Sequence, residues 1–201
     1  MSNIISNILT INGTEDQVAK VRDYIKGPNG ESISLQSIVP QPKNLKGRRM
    51  VEVAGLIHLN GEPLTIPDWL DWRFNHWGCE RDAESIRDDA VDAPNRILFN
   101  TSSTTSFEAM IILSLLFPEV TLNVIYSDAC PELYCGEYTI KNGKVTNYIL
   151  YDAIGHHGED IPVDQQMEYY SRTHEYAREE WKKTADGEWI NIYDEEDDYD
   201  E

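Results

Sequence analysis

The stretch Asn95-Arg-Ile-Leu-Phe-Asn-Thr-Ser-Ser-Thr-Thr-Ser-Phe-Glu-Ala-Met-Ile-Ile-Leu-Ser-Leu-Leu-Phe-Pro-Glu-Val-Thr-Leu-Asn-Val-Ile-Tyr126 decides the fold. Asn95–Asn100 and Val120–Tyr126 are rich in the β-branched and aromatic side chains that suit strands. Between them, Thr105 and Glu108 have the spacing of a capping box, and Phe107–Phe117 reads as an almost wholly apolar helix stopped by Pro118. A helix that apolar has to be covered on more than one side. The unit is β-α-β.

Working outward, Glu137–Ile140 and Lys144–Tyr151 flank Asn142-Gly143, the strongest short hairpin signal in the chain. Toward the N-terminus, Ile4–Ile11 reads as a strand and Asn12-Gly13 as a turn. Thr14 and Gln17 repeat the capping-box spacing, and Val18, Val21 and Ile25 recur at helical intervals, so 15–26 is an amphipathic helix stopped by Gly27-Pro28. Ser32–Val39 reads as a second short strand, ended by Pro40-Gln-Pro42. The order is β-α-β, a long insertion, β-α-β and a hairpin. Two helices on one face of an antiparallel sheet make an α+β fold of the split βαβ, or ferredoxin-like, kind.

The insertion covers about 43–93. In it, Met50–Leu59 reads as a strand, Asn60-Gly61 as a turn, and Pro67-Asp-Trp-Leu-Asp-Trp-Arg-Phe-Asn-His-Trp77 as a short helix ending at Gly78. Trp69, Trp72 and Trp77 cap one end of the core or, alternatively, form a platform for a small ligand or nucleotide. After residue 151 the apolar alternation stops, and 152–193 comprises a linker and an acidic C-terminal helix from about Val163 to Lys183. Met167, Tyr170, His174, Ala177 and Trp181 recur by three and four residues on it, a short seam that favours packing on its own domain over dimerisation. The end, 194–201, is a self-repelling acidic block, expected to be disordered when alone.

The chain of 201 residues carries 36 acidic and 17 basic side chains, a formal net charge of −19. Residues 1–151 account for −6 of it, and 152–201, with 17 acids and 4 bases, for −13. That balance argues against direct capture of nucleic acids or anionic membranes, which needs clustered Lys and Arg. The longest apolar run, Met110–Phe117, is far too short to span a bilayer, and Met1–Asn12 lacks the pattern of a signal peptide, so a cytoplasmic protein is expected. Three cysteines (Cys79, Cys130, Cys135) without paired CxxC spacing fit free thiols in a reducing compartment.

The stretch Asn100–Val145 resembles the YubB ferredoxin-like family of phage- and plasmid-encoded proteins, mostly without assigned function. Within it the likeness rests on Phe117-Pro-Glu-Val-Thr-Leu-Asn-Val124 and Cys135-Gly-Glu-Tyr-Thr-Ile-Lys-Asn-Gly143. Ile38-Val-Pro-Gln-Pro42, Trp77-Gly78 and Asp82-Ala83 extend it over most of residues 1–151. The middle motif departs from the family's Asn-Trp-Gly-Thr-Lys-Trp, with His76, Cys79, Glu80 and Arg81 around Trp77-Gly78. The resemblance implies the ferredoxin-like fold and a phage or mobile-element setting, and no reaction.

Catalytic signatures are absent from the sequence: there is no Walker loop, GxGxxG, HExxH or GxSxG. His156-His157 lacks a third imidazole at zinc-like spacing, so neither metal nor cofactor is expected. Ser102–Ser106 reads as helix capping rather than as a nucleophile. A non-catalytic reading follows, and charge becomes the most informative feature. Carboxylates at Asp164, Glu168, Glu175, Glu179 and Glu180 fall about 6–10 Å apart along a helix, near duplex phosphate spacing. With Asp194, Glu195, Glu196, Asp197 and Asp198 they form a candidate acidic, DNA-mimic-like surface. The expected partner is a host protein with a basic surface, such as a nucleic-acid-handling defence enzyme, which an accessory protein of this kind, monomer or dimer, would inhibit.

Overall fold

The computed structural model of the chain describes residues 3–45, 48–50, 65–87, 93–129, 134–152, 163–174 and 181–191. At its centre is a six-stranded, fully antiparallel sheet in the order β4-β5-β1-β6-β7-β8. The strands are β1 (Ile4–Asn12), β4 (Glu84–Ser85), β5 (Arg96–Ser102), β6 (Thr121–Asp128), β7 (Tyr134–Lys141) and β8 (Lys144–Asp152). Smaller pairs join β2 (Arg48–Met50) to β3 (Thr65–Pro67) and β9 (Trp181–Lys183) to β10 (Trp189–Asn191). The helices are α1 (Glu15–Ile25), α2 (Leu35–Ile38), α3 (Asp68–His76), α4 (Phe107–Leu116) and α5 (Val163–Thr173).

The β5-α4-β6 unit read from residues 95–126 is present. Its two strands run parallel to one another with β1 between them, antiparallel to both. Alternation puts Ile5, Asn7, Leu9 and Ile11 of β1 on one face, all fully buried. Ile97 and Phe99 of β5, and Leu122, Val124 and Tyr126 of β6, join them there. Against that face pack Val18, Val21 and Ile25 of α1, Leu35 and Ile38 of α2, and Ala109, Met110 and Leu113 of α4. The Thr14–Gln17 capping box forms, with Thr14 N donating to Gln17 Oε1 at 2.8 Å and Gln17 N to Thr14 Oγ1 at 3.4 Å. Asn142 and Gly143 both adopt positive φ and close the β7–β8 hairpin, as a primed two-residue turn requires.

Two expectations need correction. Ser32–Val39 is not a strand: Leu35–Ile38 is one helical turn, because the Asp82 carboxylate supplies the N-terminal acceptor that a helix start needs. The last helix does not reach Lys183. It stops at Thr173, and Trp181–Lys183 is a strand paired with Trp189–Asn191 around a turn in which Thr184 N donates to Glu188 O at 2.7 Å. At the end of α4, Leu115 and Leu116 are about half exposed.

The second face of the sheet also carries a helix. Met167 and Tyr169 of α5 are buried, and Tyr169 packs on Ile125 of β6 and Cys135 of β7. The C-terminal helix therefore lies on the sheet of its own chain. The Met50–Leu59 strand and Asn60-Gly61 turn read from the sequence lie outside the described residues, apart from Met50 in β2.

Candidate functional site

Of the ten acidic positions read as a partner surface, Glu168 is described with its side chain and Asp164 by its place in the first turn of α5. Glu175, Glu179, Glu180, Asp194, Glu195, Glu196, Asp197 and Asp198 lie outside the described residues. Glu168 is half-exposed, with Oε1 3.9 Å from Arg172 Nη1 and Oε2 3.8 Å from Lys183 Nζ. Pairs that open to solvent contribute little to stability. They do offset local charge, so Glu168 presents less free negative potential than its neighbours in sequence suggest. What holds α5 in place is the packing of Tyr169 on Ile125 and Cys135, with Met167, Ser171 and Thr173 buried as well.

At the end of α5, His174 is buried against β1. Its Nε2 lies 3.4 Å from Ser6 Oγ, and Nδ1 lies 2.9 Å from Thr173 Oγ1. Thr173 Oγ1 donates to Tyr169 O at 2.9 Å. A serine beside a histidine invites comparison with a nucleophile and its base. Here the Ser6 hydroxyl donates to Asn100 Oδ1 at 3.0 Å, a shorter contact than that to His174. The group fastens α5 to β1 and β5. The sequence contained the signal, a polar Ser6 on the face opposite Ile5, yet it did not reveal which helix would meet it.

The tryptophan cluster is built around Arg73. Residues 69, 73 and 77 are spaced by four, so Trp69, Arg73 and Trp77 share one side of α3 and its end. Arg73 Cζ lies 4.9 Å from the Trp69 ring centre and 5.0 Å from that of Trp77. Arg73 Nε donates to Gln41 Oε1 at 2.7 Å and Nη1 to Glu80 O at 3.1 Å. Trp77 is buried in the core, and its Nε1 donates to Val39 O at 2.9 Å. Trp72 stacks on His76 at 4.2 Å, whose Nδ1 donates to Trp72 O. These rings already have partners: the Arg73 cation serves Trp69 and Trp77, and the His76 ring serves Trp72. Arg73 escaped notice in the sequence, although its spacing from both tryptophans marked it.

The hydroxyl-rich run before α4 is likewise internal. Thr105 does not complete a capping box with Glu108. Its Oγ1 donates instead to Asn7 Oδ1 at 2.7 Å and lies 3.2 Å from Tyr138 OH. Asn7 Nδ2 donates to Ile5 O at 2.8 Å and to Thr101 Oγ1 at 2.9 Å, so a buried polar chain ties β1, β5, β7 and the start of α4 together. The N-cap residue is Ser106, which makes no side-chain cap bond. Burial is also the main cause of the raised titration of Tyr138, whose hydroxyl stays protonated.

Two hollows remain. A groove of about 940 Å³ runs beside Val18, Arg22 and Pro94, and Arg22 Nη1 is engaged by the carbonyls of Ala93, Pro94 and Arg96. A recess of about 290 Å³ is lined by Arg81, Glu84, Asn100 and Ser102. Among the described residues no group of three His, Cys, Asp or Glu could hold a metal ion, and no helix is long and apolar enough to cross a membrane. His156 and His157 lie outside them. No protein-family model, curated protein or solved structure matches the chain.

Proposed function

We propose that this chain is a non-catalytic binding protein of ferredoxin-like kind. In this reading it acts in the cytoplasm of a host cell as a phage or mobile-element accessory. It inhibits a basic, nucleic-acid-handling protein by occupying its cleft with the carboxylates of the last quarter of the chain. The observation that supports this is the segregation of charge: residues 152–201 hold 17 acidic and 4 basic side chains, and α5, within that segment, is anchored on the sheet by Tyr169. An anchored start gives the acidic segment a fixed origin, so less freedom is lost when a partner binds. The Ser6 hydroxyl directed at Asn100 supports the non-catalytic part of the reading. The small-ligand alternative on Trp69, Trp72 and Trp77 has less support, because Trp77 belongs to the core.

The test changes charge without stripping α5 from the sheet. Glu175, Glu179 and Glu180 are replaced by Gln, with Asp194, Asp197 and Asp198 replaced by Asn and Glu195 and Glu196 by Gln. Binding to a panel of DNA-binding defence nucleases is measured for both chains. The unaltered chain should lose at least about tenfold in affinity between about 50 and 200 mM salt, as polyanion binding does. Inhibition that survives neutralisation would sink the acidic mechanism.

A further inference from the structure

The segment leading into β4 does not lie flat against β5. Glu80 N donates to Ser102 O at 3.3 Å and Glu84 is level with Asn100, so five residues (80–84) run beside three (100–102). The surplus bulges out, and bulges re-aim side chains. Its middle residue, Asp82, turns to α2, where the carboxylate accepts Ser34 Oγ–H at 2.8 Å and Leu35 N–H at 2.5 Å. Between the bulge and the ends of β1 and β5 lies the recess of about 290 Å³. That is the small end of the range for small-molecule sites.

The strand register shows which side chains share its face. Ile4 is level with Ser102, Ser6 with Asn100, and Asn100 with Glu84. Level residues on neighbouring antiparallel strands stand on one face, here the face opposite Ile5. Ser102 is 8% exposed, and its hydroxyl has no hydrogen-bond partner among the described residues. Buried polar groups are ordinarily partnered. Asn100 Oδ1 accepts Ser6 Oγ–H at 3.0 Å, which leaves the Nδ2 donors of Asn100. Among the described residues no ion pair or side-chain hydrogen bond takes up the Arg81 guanidinium or the Glu84 carboxylate. Ile4, 56% exposed, adds an apolar wall.

Charge selects the occupant. Arg81 and Glu84 are opposite in sign and line one recess without pairing with each other. An anion alone would meet Glu84 and Asp82, and a cation alone would meet Arg81. A molecule that carries both charges answers the two together. We infer that this recess binds a free α-amino acid with an apolar side chain. The guanidinium fork of Arg81 takes the carboxylate, with Asn100 Nδ2 and the Ser102 hydroxyl as further donors. Glu84 takes the ammonium, and the side chain lies on Ile4. The site uses none of the acidic positions assigned to a basic partner, so either reading can fail while the other stands.

Titration calorimetry on the full chain near pH 7, with L-leucine, L-methionine and L-valine each up to about 10 mM, tests the inference. Saturable binding is expected. The N-acetyl forms, which lack the ammonium, and the corresponding amines, which lack the carboxylate, should bind at least about tenfold more weakly. Arg81→Gln should weaken the amino acid at least about tenfold, and Glu84→Gln should abolish its advantage over the N-acetyl form. Ser102→Ala should also weaken binding, yet melt no lower than the parent, because the hydroxyl it removes has no partner to lose. If none of the amino acids binds, or if an N-acetyl form or an amine binds as tightly, the inference is overturned. Undiminished affinity or a lowered melting temperature in Ser102→Ala overturns it as well.

Discussion

The Asp82 carboxylate accepts the backbone N–H of Leu35 at 2.5 Å and so starts a helical turn from a distant part of the chain. Its other oxygen accepts Ser34 Oγ–H at 2.8 Å, and Gln36 N lies 3.4 Å from the first. The carboxylate does from outside what an N-cap side chain does from within. It also fastens the segment after α3 to the segment after α1.

Removing that acceptor should be costly. Asp82→Ala leaves the donors at Ser34 and Leu35 bare, at about 2–3 kcal/mol. Asp82→Asn keeps an acceptor oxygen without the charge and should lose less than half as much. Urea denaturation midpoints separate the two. Equal losses would show that the charge, and not the acceptor geometry, holds α2.

Gly78 ends α3 at φ +84, and a Cβ there would come 2.1 Å from Glu108 Oε2 and 3.0 Å from Phe107 N. The Glu108 side chain can swing away, but the backbone of Phe107 cannot. Gly78→Ala should therefore cost about 2 kcal/mol, more than the left-handed conformation alone exacts. A loss below about 1 kcal/mol in thermal or chemical unfolding would mean that the turn relaxes freely.

Burial, helped by the nearby Asp82 carboxylate, pushes the Cys79 thiol up to about 12. The thiolate is the reactive form, so Cys79 should resist alkylation at pH 8 in the folded chain. Its contribution to stability is complete below the titration range of the unfolded thiol and is lost as pH climbs toward 12. Cys135 is protected differently, beneath Tyr169. In a Cys130→Ser background neither thiol should label before unfolding. Tyr169→Ala, at a cost of about 3–4 kcal/mol, should open Cys135 alone, as peptide mass mapping would reveal.

Glu108 is held above the ordinary carboxylate range by burial. A raised carboxylate favours folding fully below its unfolded pKa and loses that contribution as pH rises through the folded value. Glu108→Gln should therefore be more stable than the parent at pH 7 and gain nothing near pH 4. Glu31 runs the other way: the Asn29 amide, then the backbone N–H groups of Glu31 and Asn29, hold its carboxyl low, so its contribution is lost as pH falls. Parallel melts across pH separate the two residues.

Local signals were legible, and distant partners were not. Pro118 and the Asn142-Gly143 turn act within a few residues, and β5-α4-β6 and the β7–β8 hairpin stand where they point. Ser32–Val39 misled because Asp82, which turns it into a helix, is supplied from the insertion. Trp181 misled because its spacing from Met167, Tyr170 and His174 continues a helical seam, although Ala185-Asp186-Gly187 announced a turn. At the candidate surface, the acidic positions were plain in the sequence. The seating of α5 was not, since Ile8, Leu98 and Ile125 on the outer face of three strands say only that something covers them.

The central place of β1 has a consequence for synthesis. Ile5 pairs with Thr101 on one side and Asp128 on the other, so β1 waits on partners made 96 and 123 residues after it. Until β5 has been made, Ile5, Leu9 and Ile11 have no sheet to enter. The meander β6-β7-β8, by contrast, closes through short connections and forms quickly. The growing chain must carry an unpaired apolar strand while the intervening residues are made, a window in which a chaperone or a premature β1–β1 contact between nascent chains competes with folding.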